Sequence, residues 1–461
     1  MFKYGVLLMA LCASLSTYAA GDAVVPINED LRAIREQIKQ LKESYEQRID
    51  QMEQRLQQAE AAAKSAESIA TNAQTALPPI SRSASGEAAF NPAVSLILSG
   101  TYGQFSRDPA GSPPLTGFAL STNNSGFKRG FSLDETELGV AANIDPQFRG
   151  VATISLDPEG GISVENAFVQ TGALGNGLNL KFGRYFSGLG YLNEQHSHTW
   201  DFVDQPLVYR TFWDNQLGED GVQLKWLAPT DTFVELGAEL GSGRGFPGGD
   251  RQKNGAGSGV LFAHVGDDFS ASSSWRAGAS LHQSKRENWV SNNVPDVPGT
   301  VGGVSDSFSG NSKTLGADFV WKYAPNGNTT QTNFKLQGEY FRRKEGGMLN
   351  YNMTTTDSYA VMQSGWYAQA VYQFMPNWRT GWRYDRLDPG TAQVGALNAG
   401  NVVTNYGYQP SRNTLMLEYN PSEFSRLRLQ LAQDKSRRGL TDNQLFLQYV
   451  MSLGAHGAHQ F

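Results

Sequence analysis

Two histidines separated by one residue, His196 and His198, are the sharpest chemical signal in the chain. In an extended segment alternate side chains share a face, so both imidazoles would point the same way. Glu194, Asp201 and Asp204 flank them and could complete a nitrogen/oxygen ligand set of the kind zinc accepts. The stretch from Ser187 to Asp220 also carries Asp214, Glu219 and Asp220, with Trp200, Tyr209, Phe212 and Trp213. It supports three readings: a solvated loop whose aromatic residues pack on a neighbouring wall, an acidic constriction favouring cations, or a metal site. His456 and His459, three apart near the end of the chain, make a weaker ligand pair.

The other chemistry is mostly excluded. Among 6 histidines and many Asp and Ser, no spacing suggests a Ser/His or Asp/His catalytic arrangement, so no enzyme is expected. Cys12 is the single cysteine and lies in a segment expected to be removed, which leaves no disulfide and no thiolate metal site. No cofactor is indicated, with zinc the candidate ion. The net charge is −6 and there is no basic run, so nucleic acid is not an expected partner.

Charged residues divide along the chain. Early segments carry Glu135, Glu137, Glu165, Glu235 and Glu239, and late segments carry Lys335, Arg343, Arg379, Arg383, Arg412, Arg426 and Arg428. Arg149, Lys181 and Lys225 are early exceptions, and Glu339, Asp385 and Glu418 are late ones. The elements that must position these residues have a period of two. Val222, Leu224 and Trp226 alternate with Gln223 and Lys225, and Leu427, Leu429 and Leu431 alternate with Arg426, Arg428 and Gln430. Trp366, Ala368, Ala370, Tyr372 and Phe374 alternate with Gln369 and Gln373. Such strands fit a wall between lipid and an aqueous lumen.

About sixteen such strands occupy residues 91–461, so the fold class is all-β, a transmembrane antiparallel barrel. Short turns such as Asp145-Pro146-Gln147, Ala228 to Asp231, Gly266 to Asp268, Met375 to Asn377 and Asn420 to Glu423 alternate with long loops. The long loops are expected near Ser106–Gly130, Ser187–Asp220, Ser242–Ser258, Lys285–Asn311, Lys344–Asp357 and Asp388–Pro410. Strands distant in sequence face each other across a barrel. One wall would then be acidic and the opposite one basic, with a transverse field between them. Local ion pairing within each wall is the alternative.

Three segments precede the barrel. Residues 1–20 read as a signal peptide, with Lys3, the apolar run Val6 to Leu15, and small residues at Ala19 and Ala20. Residues 28–76 place Leu31, Ile34, Ile38, Leu41 and Tyr45 three and four apart, and the pattern resumes at Ile49, Met52 and Leu56. That is an a/d seam over about five heptads, the pattern of a coiled coil that joins copies of a chain, with a lone amphipathic helix lying on the barrel as the alternative. Residues 77–90 hold Pro78, Pro79, Gly86 and several serines and read as a linker.

Signal, coiled coil, linker and barrel in this order resemble oligomeric porins with periplasmic coiled-coil extensions. Asn91-Pro92-Ala93-Val94-Ser95-Leu96, Gly190-Tyr191-Leu192-Asn193-Glu194-Gln195-His196 and Gly454-Ala455-His456-Gly457-Ala458-His459 resemble a proteobacterial outer-membrane family. Its members are often labelled zinc-regulated or TonB-dependent-receptor-like. The final strand with its terminal Phe461 resembles the signal read by the barrel-assembly machinery, although His459 departs from the usual apolar residue. The resemblance implies a Gram-negative outer-membrane location, membrane lipid around the barrel and a periplasmic N-terminal extension. It further implies a homotrimer and passive uptake of small solutes, with a link to zinc or other metal acquisition. It also implies that the third extracellular loop, Ser187 to Asp220, folds into the barrel as a constriction. TonB-dependent receptors have a globular plug and about 22 strands, which this chain lacks. A receptor for a metal complex or siderophore without such a plug, and a structural tether, remain the alternatives.

Overall fold

The computed structural model describes residue 39 and residues 92–108, 115–120, 127–134, 136–156, 160–172, 174–249, 251–291 and 305–454. Apart from Lys39, which is helical, the signal peptide, coiled coil and linker lie outside the described residues, as do Glu135, His456, His459 and Phe461.

The wall of the described barrel is one antiparallel sheet. The strands are β1 (Ala93–Phe105), β2 (Gly130–Leu133), β3 (Thr136–Asn143), β4 (Phe148–Leu156), β5 (Ile162–Thr171), β6 (Leu178–Phe186), β7 (Gly218–Leu227), β8 (Phe233–Gly241) and β9 (Ser258–Ser270). They continue as β10 (Ser273–Ser291), β11 (Asp306–Tyr323), β12 (Asn333–Tyr351), β13 (Thr355–Met375), β14 (Trp378–Asp388), β15 (Gln393–Val394), β16 (Ser411–Ser422), β17 (Ser425–Lys435) and β18 (Asp442–Gly454). Each long strand pairs with its sequence neighbours, and β1 pairs with β18 from Ser95↔Gly454 to Phe105↔Gln444, which closes the barrel. The wall has 16 strands. The short β2 caps the upper half of β1 beside β3, and β15 pairs briefly with β13.

Closure pairs every interior strand edge, which lets a sheet sit in hydrocarbon without unsatisfied backbone groups. The side chains are arranged inside out compared with a water-soluble protein. On β11, Thr314 is 1% exposed and its neighbour Leu315 is 54% exposed. Gln369, Glu418 and Gln430 are buried inside, whereas Trp366, Leu417 and Leu431 face out. No helix among the described residues is long and apolar enough to cross a membrane.

Short connections gather at one end, among them 144–147, 228–232, 271–272, 376–377 and 423–424, with both barrel termini. Longer ones, including 187–217 and 389–410, gather at the other. Four expected connections differ, the first at Asn420 to Glu423, where β16 continues to Ser422 and the turn falls at 423–424. Residues 266–268 belong to β9, which continues to Ser270, so the turn falls at 271–272. Strand β10 runs to Ser291, which makes Lys285 and Arg286 wall residues and not loop residues. The expected long loop at Lys344–Asp357 is a tight hairpin. Asn352 and Met353 take positive φ and turn the chain sharply, so the ladder continues to Tyr351↔Thr355.

Candidate functional site: a charged loop across the lumen

The segment between β6 and β7 leaves the wall at Ser187 and returns at Leu217. One side chain closes its neck. Asn193 Nδ2 donates to the carbonyls of Ser187 (2.8 Å) and Leu217 (3.0 Å), and its Oδ1 accepts from the Leu217 amide (2.7 Å). The loop then folds into the barrel. A short helix, Leu207–Trp213, buries Leu207, Val208, Tyr209, Thr211, Phe212 and Trp213. Its aromatic face packs on Phe118, Phe262, Phe341 and Tyr367, forming an apolar cluster inside the barrel.

The two histidines face the acidic wall. His196 Nδ1 lies 2.8 Å from Glu165 Oε2 and 3.3 Å from Glu137 Oε2, and its Nε2 is 2.9 Å from Asn166 Nδ2. His198 Nδ1 is 2.9 Å from Glu137 Oε1, and the two imidazoles stack with centroids 5.8 Å apart. Burial alone would lower the His196 pKa. The Glu137 and Glu165 carboxylates outweigh it and raise the imidazole to about 10.

The two aspartates face the basic wall. Asp201 meets Lys335, has Arg379 Nη1 at 3.5 Å and accepts from Gln369 Nε2 at 2.9 Å. Asp204 Oδ1 accepts from Arg383 Nη2 (2.9 Å) and Gln430 Nε2 (3.1 Å), and its Oδ2 pairs with Arg412. Burial pushes both carboxyls up, but the surrounding cations more than offset it and hold both below the ordinary value. Arg426 and Arg428 donate to the Trp200 carbonyl, so the basic wall also grips the loop backbone.

The loop thus spans the two walls, with histidines toward the carboxylates and aspartates toward the guanidiniums. The five expected metal residues are not brought together. Glu194 turns aside to Lys225 Nζ at 2.9 Å, and Asp201 and Asp204 are consumed by the basic wall. What converges is His196 with Glu137 and Glu165, whose ligand atoms lie within 4.8 Å of one another. Glu137, Glu165, Glu235 and Glu239 all take inward positions on β3, β5 and β8, and Glu239 accepts from the Gly188 amide at 2.8 Å. Glu235 pairs with His264 at 3.0 Å. Lys335, Arg343, Arg379, Arg383, Arg412, Arg426 and Arg428 all face inward on β12, β14, β16 and β17.

Two of the late sequence exceptions, Glu418 and Asp385, are counter-charges to the basic wall. Glu418 sits among Arg379, Arg426 and Arg428, and Asp385 accepts from Arg383 and from the Leu207 amide. Glu339 accepts from the Tyr191 and Leu192 amides and from the Tyr209 and Tyr367 hydroxyls, so it anchors the apolar half of the loop. Strand alternation showed that such residues point inward. Nothing local showed which loop atom each would hold.

Fold and site together define a transmembrane antiparallel β-barrel whose lumen is spanned by an inward-folded loop. No family model matches the chain. The chain is 31% identical over 408 residues to an uncharacterized protein of Aquifex aeolicus (strain VF5), covering 82% of each, and it belongs to the same family as that protein. Among solved structures, it is similar to a loop-deletion form of OmpT, an outer-membrane protein of Vibrio cholerae. There the TM-score is 0.48 and the identity 12%, over 79% of this chain and 99% of that one. An anion-selective porin from Comamonas acidovorans has a TM-score of 0.45 and 13% identity, over 79% and 99% of the two chains. The outer-membrane channel DcaP of Acinetobacter baumannii has a TM-score of 0.44 and 11% identity, over 80% and 99%.

Proposed function

We propose that this protein is a porin-like channel of the Gram-negative outer membrane, passing small solutes passively through a lumen narrowed by loop 187–217. The observation that carries this is the inside-out barrel, apolar toward lipid and charged toward a lumen with space on both sides of the loop. A cavity of about 200 Å³ opens at the short-turn end, with Arg379, Arg426 and His198 on its wall. A second, of about 50 Å³, lies at the long-loop end beside Arg286 and Arg343. Export by the signal peptide and insertion by the assembly machinery through the strand ending at Phe461 belong to the same proposal. So does trimerisation through residues 28–76 in the periplasm. The test is planar-bilayer recording of the full-length protein. Stable stepwise conductance is expected, and its absence in folded protein would remove the channel.

A second function, a receptor closed by its loop that takes a metal complex, is favoured by the packed apolar cluster and by the convergence of Glu137, Glu165 and His196. Two carboxylates and an imidazole suit zinc. The cost is visible, because His196 already spends both ring nitrogens on Glu137, Glu165 and Asn166, and zinc must displace that proton. Micromolar zinc should change the current of the natural protein and leave His196→Ala/His198→Ala nearly unaffected. Equal responses would eliminate the metal.

A further inference from the structure

The cavity at the long-loop end lies between the upper parts of β10, β12 and β13 and loop residues 117–119 and 389–404. Arg286, Arg343 and Glu345 line it, and all three are nearly inaccessible. Glu345 Oε1 stands 2.8 Å from Arg286 Nη2 and 3.5 Å from Arg343 Nε. Two guanidiniums therefore share one carboxylate, and the trio carries a surplus positive charge.

The donors are unevenly used. Arg343 gives Nη2 to Gln363 Oε1 (2.6 Å) and Nη1 to the Thr211 carbonyl (3.3 Å), while its Nε is buried without a hydrogen-bond partner among the described residues. Arg286 Nε is likewise buried without one. Arg286 is instead held by aromatic faces, 4.8 Å from the Trp289 centroid and 5.5 Å from that of Phe246. A rigidly placed guanidinium with unspent donors is a ready receptor for an anion, because buried donors left unmade are costly. Phe118, Val361 and Val402 supply an apolar part of the remaining wall, and Tyr359, Thr404 and Tyr406 a polar part.

We propose that Arg286 and Arg343 form a binding site for the carboxylate of a small organic monoanion at the long-loop mouth of the barrel. One negative charge neutralises the trio, whereas a dianion would overshoot it. A space of about 50 Å³ exceeds what one water needs and fits a carboxylate head, not a whole sugar. The apolar part of the wall favours an organic acid over a fully hydrated inorganic ion. This assigns a solute class to the proposed channel and rests on that function for its use, although binding itself does not require an open pore.

The test titrates the purified full-length protein in detergent with acetate and with benzoate, at constant ionic strength set with chloride. The readout is tryptophan fluorescence, with Trp289→Phe identifying the reporting residue. A saturable change is expected, lost in Trp289→Phe. Arg286→Gln should raise the midpoint by about tenfold or more, the loss of one charge-assisted hydrogen bond. Glu345→Gln, which removes the competing carboxylate, should lower it severalfold, an effect a merely structural trio would not produce. No saturation in the natural protein overturns the site whatever the variants do. Equal midpoints in a folded Arg286→Gln, or phosphate saturating as readily as acetate, also overturn it. Bilayer current is recorded separately: acetate binding without conductance keeps the site and removes the channel, and conductance without acetate saturation does the reverse.

Discussion

Asp204→Asn isolates the grip of the basic wall on the loop. The substitution keeps the side-chain shape and removes the charge shared by Arg383 and Arg412. Breaking a buried ion pair from one side costs about 3–5 kcal/mol. Asparagine can still accept one hydrogen bond, which places the cost near the lower figure. At about 1.4 kcal/mol per factor of ten, 3 kcal/mol shifts the docked loop toward its undocked form on the order of a hundredfold. The barrel ladder is not touched, because Asp204 meets only side chains of the wall, and its carbonyl keeps the 2.6 Å hydrogen bond from Arg383 Nη1. Hydrogen exchange can separate the two. The amides of Val203 and Leu207, which donate to Gln430 Oε1 (2.8 Å) and Asp385 Oδ1 (3.0 Å), should lose about a hundredfold of protection. The strand amides of β12 to β14 should keep theirs, and single-channel current should rise. Loop protection that stays within threefold of the natural protein, or a loss spread equally over the strands, would refute the clamp.

Acid should loosen the same clamp, with a defined sign. The folded Asp201 and Asp204 carboxyls lie below their ordinary value, so their stabilisation is present above about pH 4 and is lost as pH falls through the depressed folded value. Current should be level from pH 7 to pH 5 and rise only below about pH 4, and a rise already complete by pH 5 would exclude these two groups. Gly237→Val should cost about 1–3 kcal/mol, read as a lower melting temperature, because a Cβ there would fall 1.9 Å from the Phe262 ring. An unchanged melting temperature would mean that Phe262 has room to move. Deleting residues 28–76 should convert the oligomer to monomer in detergent while the barrel stays folded, as judged by light scattering and circular dichroism. An oligomer that survives the deletion must be joined through the barrel.

The barrel was legible in the sequence because its cause is local. A strand in a membrane wall must alternate, and Val222 to Trp226 or Leu427 to Leu431 shows that alternation residue by residue. Turn residues such as Pro146, Pro229 and Pro376 fix where strands end, so strand number and inward face follow without knowledge of any partner. The inward direction of Glu137, Glu165, Arg383 and Arg412 follows for the same reason. What lies opposite each charge does not follow, because it depends on how loop 187–217 crosses the lumen. His196 and Glu165 are 31 residues apart in sequence, and Asp204 and Arg412 are 208 apart. The His-x-His pair lies on the loop that crosses the lumen, but the companions of His196 come from β3 and β5, and Asp201 and Asp204 turn to the far wall. Arg286 looked like a loop residue until β10 extended to Ser291, since only pairing with β11 holds that end of the strand in register. Periodicity is set by the backbone of a single strand. Charge pairing across the lumen is set by closure of all of them, and closure exists only in the folded chain.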